Sequence, residues 1–456
     1  MLNKITLKLK GNSDKSQLLR GGIGVLSIKI TSTGLGLISS IILTRALGVE
    51  QFGVYTYIFA LIALLVVPAQ FGMTTLIIRE TAKAEASRAW GLMKGLWAWT
   101  NLASVAISAI IIIFCIAYIN FAPTSSALDK NSYLLALISI PFIALSNLRG
   151  AALQGLRKII KGQLPENIIR PLFMIAMVGA AWYYSDTDLQ AFDAVLYSVI
   201  ATVIAFIIGA GLLIKEKPKE VNRLQSMKYK APEWFKSIIP LSLLEGVLII
   251  NSQTDLIMLG MFANQTEVGL YVVAFQGAAL TTLGLTAVAS MAMPYMARYH
   301  SQNRIDKLAY LSVLSARASM LWALPILLLF VFFGKEILLL FFGESFTDSY
   351  IILLILTGSQ FLNAFFGASG RILNMAGLEK LSLKAMVLAT VINLALNAIL
   401  IPTYGATGAA LATAISILIR NIILWAVVYK IFGIDCTAFG LLHSKSIYSN
   451  IDDKKS

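Results

Sequence analysis

Long, nearly uncharged apolar runs recur from one end of the chain to the other. About 20 consecutive apolar residues are what an α-helix needs to cross the roughly 30 Å hydrocarbon core of a bilayer. Such runs lie near residues 21–47, 52–78, 97–119, 131–152, 166–184, 189–214, 235–261, 267–293, 310–333, 349–370, 381–402 and 407–431, here called spans 1 to 12. No soluble core can hide that much apolar surface: 58% of the residues are hydrophobic and 13% charged, where a soluble domain carries about 25% charged residues. The mean hydropathy of +0.78 agrees. A membrane β-barrel would show short segments of alternating polarity instead. The sequence therefore predicts an all-α membrane protein with about twelve transmembrane helices.

The charges set the orientation. Connections after even-numbered spans hold Arg79, Lys83, Arg88 and Lys94, then Arg149, Arg157, Lys158 and Lys161, then Lys215, Lys217, Lys219, Arg223, Lys228 and Lys230, and later Arg298, Arg304 and Lys307. The amino end adds Lys4, Lys8, Lys10, Lys15 and Arg20, whereas the odd-numbered connections offer little beyond Arg45, Lys130 and Lys335. Cytoplasmic loops accumulate Lys and Arg, so both termini are expected in the cytoplasm. The same rule explains the net charge of +14 without nucleic acid, because the basic residues are scattered rather than gathered on one module. The polar, basic start through Arg20 and the spanning length of the first run predict no cleavable signal peptide. Cys115, Cys436, His300 and His443 stand apart in no ligand spacing, and no G-x-x-x-x-G-K-[ST] motif occurs, so neither metal nor cofactor is expected.

The longest hydrophilic break, residues 215–236, divides the spans six and six. This predicts an amino-terminal lobe over 1–214, a basic cytoplasmic linker over 215–236, a second lobe over 237–432 and a cytoplasmic tail over 433–456. The halves echo each other. ALGVEQFGVYTYIFA after span 1 matches FANQTEVGLYVVAFQ after span 7, with Gly53 and Tyr55 on Gly269 and Tyr271 at an offset of 216. ALQGLRK (152–158) and NMAGLEK (374–380) repeat at a similar distance. Six spans return the chain to its starting side, so this is a parallel repeat about an axis along the membrane normal, with a central cleft suited to alternating access. Pro68, Pro141, Pro240 and Pro294 supply kinks, and residues 335–346 predict a short interfacial helix.

The stretch LTRALGVEQFGVYTYIFALIALLVVPAQFGMTTLIIRE (43–80) resembles polysaccharide repeat-unit flippases of the O-antigen, Wzx-type group, as do NSQTDLIMLGMFANQTEVGLYVVAFQ, LLLFFGESFTDSY and IPTYGATGAALATAIS. These belong with the multidrug exporters and lipid II flippases in one superfamily. The resemblance implies a V-shaped, two-lobe transporter in a bacterial cytoplasmic (inner) membrane. Its implied cargo is an undecaprenyl-diphosphate-linked oligosaccharide, moved to the outer leaflet with H+ or Na+ coupling, alongside polysaccharide polymerase and assembly proteins.

Charges inside spans cost about 2.5–3.5 kcal/mol each at a helix centre and tend to face cavities. Lys29 in span 1 and Glu245 in span 7 are equivalent under the 216-residue offset. Two readings stand for Lys29, a partner for Glu245 and a side chain snorkelling to headgroups. Glu245, with its shorter stem, reads as that partner or as a protonatable coupling group. Asp255, with Gln253 and Asn251 beside it, reads equally as a cation or sugar site and as a hydrogen-bonding element. Arg45, Arg79, Arg149 and Arg371 sit near span ends, where a diphosphate and ordinary headgroups both lie in reach, and Arg420 and Arg317 read first as snorkelling. Tyr55, Tyr57 and Phe59 are candidates for stacking on sugars or for the interfacial belt. A multidrug exporter is the nearest alternative function. A membrane enzyme of polysaccharide assembly is less favoured, because the outer connections are short and hold no acid–base pair.

Overall fold

The computed structural model describes residues 14–121, 129–184, 189–223 and 226–440, with side chains except those of 14–26, 121, 222–223 and 243–244. The expectations placed on Lys4, Lys8, Lys10 and His443, on the side chains of Lys15, Arg20 and Arg223, and on the tail beyond 440 lie outside the described residues.

Among these residues nine helices are long and apolar enough to cross a membrane, and Ser349–Phe365 with Ser369–Met375 forms a tenth element bent by 46°. Two of the nine are too long for one crossing. Helix α1 (Asp14–Gln70) leaves helical geometry at Gly48, φ 72° and ψ 176°, and α15 (Glu379–Phe432, 54 residues) does so at Gly405, φ 54° and ψ −134°. At 1.5 Å per residue α15 would run about 80 Å unbroken, more than twice the hydrocarbon thickness. Read as two crossings each, they bring the ten elements to the twelve that hydropathy predicts.

Contacts divide the chain into two compact units, Met1–Ile257 and Met258–Ser456. In the first, α1 is followed by α2 (Met73–Ala86), α3 (Trp90–Phe121), α4 (Lys130–Leu137), α5 (Ser139–Gly155) and α6 (Ile159–Leu164). A single π-helical turn, Pro165–Ile169, leads into α7 (Arg170–Tyr184), and α8 (Ala191–Glu216), α9 (Lys219–Arg223) and α10 (Ala231–Phe262) follow. Ile58, Ile62, Val66 and Ala69 of span 2 pack against Tyr133, Ala136, Leu137 and Ile140 of span 4 and Val195 and Val199 of span 6. Lipid is as apolar as these side chains, so close packing rather than water expulsion holds spans together.

The seventh span was expected to open the second lobe. Over residues 231–257 it instead belongs to the first unit, where Trp234 and Ile238 are buried with Met73, Leu76, Leu96 and Leu148. The linker is likewise packed: Val221 is buried with Ala84, Met93 and Leu156, and the Lys228 N–H donates to the Gly91 carbonyl at 3.0 Å. Polarity alone marked this segment as a tether, but its backbone partners lie on α3.

The second unit holds α11 (Gln265–Ser301), α12 (Ile305–Phe341), α13 (Ser349–Phe365), α14 (Ser369–Met375) and α15. No separate interfacial helix forms over 335–346; α12 runs on to Phe341 and a 3-10 turn follows at Glu344–Phe346. After Gly433 the chain folds back, and Ile434 and Cys436 are fully buried with Leu308, Ile372, Leu424 and Val428. Arg317 secures this return, donating from Nε to the Ala438 carbonyl at 2.9 Å and from Nη2 to the Gly440 carbonyl at 3.2 Å. Residues 434–440, read from sequence as tail, are part of the unit.

The two units repeat one device. Gln51 Oε1 accepts from the Ala191 N–H, the first of span 6, at 3.1 Å. Glu267, at the 216-residue offset from Gln51, accepts through Oε2 from the Ala406 N–H, just past the Gly405 break, at 2.6 Å. A side chain at one register position thus meets a free N–H at the start of span 6 and of span 12.

Candidate functional site

Polar contacts in the first unit concentrate where span 2 breaks. Pro68 weakens the helix ahead of the break, since proline lacks the N–H and crowds the preceding turn. Phe71 (φ 40°) and Gly72 (φ 69°) then adopt left-handed conformations, and α2 restarts at Met73 with no side-chain cap. Span 7 fits against this notch. A Cβ on Gly72 would stand 2.6 Å from the Ser242 nitrogen and 3.0 Å from the Ile238 carbonyl oxygen, so only glycine admits the crossing.

One turn beyond Ser242, the Glu245 carboxylate reaches the restarted helix. Its Oε1 accepts from the Thr74 hydroxyl at 2.5 Å and from the Thr75 hydroxyl at 3.0 Å. A negative charge in the first turn of a helix is favoured by the helix dipole. Lys29 lies elsewhere: it is exposed, and no ion pair joins it to Glu245 among the described residues. The pairing suggested by the repeat is therefore not made in this structure, because positions equivalent in two halves need not touch. The hydroxyls that do meet Glu245 come from a neighbouring broken helix, which periodicity does not reveal.

A second polar centre surrounds Arg149, which is buried although it stands near the end of span 4. Its Nη1 donates to the carbonyls of Ala205 and Phe206 at 3.2 and 3.3 Å, and Nη2 lies 3.6 Å from Glu166 Oε1. Gly209 makes room, since a Cβ there would collide with the guanidinium. Arg149 Nε and Nη2 and Glu166 Oε1 have no hydrogen-bond partner. Glu166 sits in the π-helical turn, a distortion common at functional sites. Sequence reading passed over Glu166 because it starts span 5 beside a charged connection; the neighbouring proline was the available signal.

The remaining candidates are dispersed. Arg79 is exposed and pairs with Glu80 at 2.9 Å. Arg45 is exposed, while Gln253 and Asp255 are half-buried in span 7. Arg371 and Arg420 are half-buried in the second unit, the latter beside Asn421, whose Nδ2 donates to Asn363 Oδ1 at 3.0 Å. Tyr57 is buried and offers no face to a sugar. Tyr55 is half-buried, 4.9 Å from the Phe59 ring, with its hydroxyl 3.5 Å from Ser198. Among the described residues no group of three or more His, Cys, Asp or Glu is placed to hold a metal.

Comparison with known proteins agrees with this architecture. A family model described as "Polysaccharide biosynthesis protein" matches residues 18–300, and one described as MatE matches residues 242–399. A relative from Haloferax volcanii named "Probable low-salt glycan biosynthesis flippase Agl15" is 27% identical over 415 residues, covering 89% of this chain and 82% of the relative. An inward-facing multidrug resistance MATE family transporter of the MOP superfamily shares the fold with a TM-score of 0.73 at 16% identity, over 90% of this chain and 98% of that one. The lipid II flippase MurJ, in an inward closed conformation, does so with a TM-score of 0.71 at 17% identity, over 89% of this chain and 87% of its own.

Proposed function

The chain belongs to the polysaccharide biosynthesis protein family and is a membrane flippase with the fold of the MOP superfamily; on that premise we propose that it carries a lipid-linked oligosaccharide from the cytoplasmic to the outer leaflet by alternating access. The observation that carries this reading is the family match, which spans well over half of the chain. The flippase named for glycan biosynthesis, aligned along 89% of the chain, supports it. An undecaprenyl-diphosphate-linked repeat unit is the specific cargo this reading names, with H+ or Na+ as coupling ion. A polysaccharide polymerase acts downstream. The setting is a cytoplasmic membrane with both termini inside, which a reporter fusion after Lys228 checks.

A lipid diphosphate carries about two negative charges and needs a cationic, hydrated route through the membrane. Lys29, Arg45, Arg79, Arg371 and Arg420 supply cations along that route. Glu245, held by Thr74 and Thr75 at the span 2 break, is the coupling carboxylate. Broken helices at membrane depth are where transporters place such groups, and Asp255 with Gln253 extends the polar face of the same span. Deleting the gene should leave lipid-linked repeat units on the inner leaflet and deplete surface polysaccharide. Unchanged polysaccharide together with new sensitivity to cationic drugs would identify a drug exporter instead.

A further inference from the structure

A cavity of about 480 Å³ lies within the first unit, among α3, α5 and α8, with Ile77 of α2 closing one side. Its volume falls in the roughly 300–1,000 Å³ range of sites for one small ligand. Leu102 and Ile214 stand at the mouth, 72% and 64% exposed, so the cavity opens outward between spans 3 and 6. Arg149 lines the interior, its Nε without a hydrogen bond and its Nη2 facing Glu166 Oε1 at 3.6 Å, although the side chain is only 4% exposed.

The lining decides what can enter. Its Thr100 hydroxyl already donates to the carbonyls of Leu96 and Trp97, at 2.9 and 3.2 Å, and Asn101 is exposed. Most of the remaining wall is aliphatic or aromatic. A glycan would lose the water bonded to its hydroxyls and find few replacements, a cost of about 1–3 kcal/mol for each group left unpaired. A hydrocarbon chain loses nothing of the kind. Charge then selects the headgroup. Lys215 directly follows Ile214, Lys94 lies one turn before Trp97, and a tryptophan at that depth is typical of the membrane interface.

We propose that this cavity holds one chain of an anionic bilayer phospholipid, with the phosphate at the end marked by Lys215 and Lys94. This occupancy depends on the chain being embedded in a membrane and not on the identity of the cargo.

The test uses the full chain, equilibrated with phosphatidylglycerol and phosphatidylcholine in equal amounts, stripped of loose lipid with detergent and weighed by native mass spectrometry. The expected result is one phosphatidylglycerol retained in preference to phosphatidylcholine by about thirtyfold, the scale that two basic residues near a membrane surface provide. Val105→Trp, which fills the mouth, should abolish retention, and Ala210→Phe does the same from α8 if the first variant fails to fold. Lys215→Gln should keep a bound lipid but lose most of the preference. Equal retention of the two lipids by the wild type overturns the proposal, as does undiminished retention in a folded, filled variant. Displacement of the bound lipid by added undecaprenyl diphosphate also overturns it, by making the cavity a cargo site.

Discussion

Thr74→Val and Glu245→Ala, made singly and together, measure whether the contact at the span 2 break is energetic or incidental. In the wild type one carboxylate oxygen receives two hydroxyls, the nearer at 2.5 Å. Interhelical hydrogen bonds in membranes couple by about 0.6 kcal/mol on average and up to about 1.7, and bonds to a carboxylate sit at the strong end. The Thr74–Glu245 coupling should therefore be about 1.5 kcal/mol. Thr75, longer at 3.0 Å and exposed, should give about half as much. Reversible unfolding in mixed micelles, read by tryptophan fluorescence, supplies the four free energies of each cycle. The control is Lys29→Ala with Glu245→Ala, which should add within about 0.5 kcal/mol because the two side chains do not pair. Surface polysaccharide in the same variants shows whether Glu245 also matters for transport at normal abundance. Additive Thr74–Glu245 effects, with coupling above about 1 kcal/mol between Lys29 and Glu245, would refute the assignment and restore the pairing drawn from the repeat.

Arg149→Ala leaves the half-buried Glu166 without its cation and should destabilise the protein by up to about 3 kcal/mol, whereas Arg149→Met with Glu166→Leu should recover much of the loss in the same unfolding assay. Gly72→Ala places a Cβ at a left-handed φ and against the span 7 backbone; left-handed strain alone is about 1–2 kcal/mol, and a lowered melting temperature with loss of protease resistance at 231–257 would register it. In a Cys115→Ala background, maleimide should label Cys436 very slowly at pH 7 to 8. Burial pushes this thiol up to about 11, and only the thiolate reacts, so labelling should rise as pH approaches that value or the unit opens.

Hydropathy made the membrane class readable, because it depends on local composition. The 216-residue offset also proved informative: Gln51 and Glu267, which it aligns, receive an N–H at the start of span 6 and of span 12 respectively. What stayed hidden were contacts between spans. Span 7 looks like the opening of a second lobe, yet Trp234 and Ile238 pack on span 2, a choice made by shape at Gly72 rather than by polarity. Arg149 resembled an interfacial anchor because its distance from a charged loop is short in sequence. Its burial depends on the absence of a side chain at Gly209, on another helix. Thr74 and Thr75 carried no signal, since hydroxyls in spans commonly satisfy their own backbone.

The return of residues 434–440 into the second unit bears on how the protein is made. Span 12 ends at Phe432, but the cluster that includes Leu308, Ile372 and Val428 also includes Ile434 and Cys436. A nascent chain whose last span has just entered the bilayer therefore still lacks two pieces of its interior. Arg317, synthesised more than a hundred residues earlier, must wait for the carbonyls of Ala438 and Gly440. Closure of this unit is a late event in biogenesis, and a stop codon placed after Phe432 would yield a chain with every span inserted and an unfinished fold. Fusions joined beyond Gly440 should escape that defect.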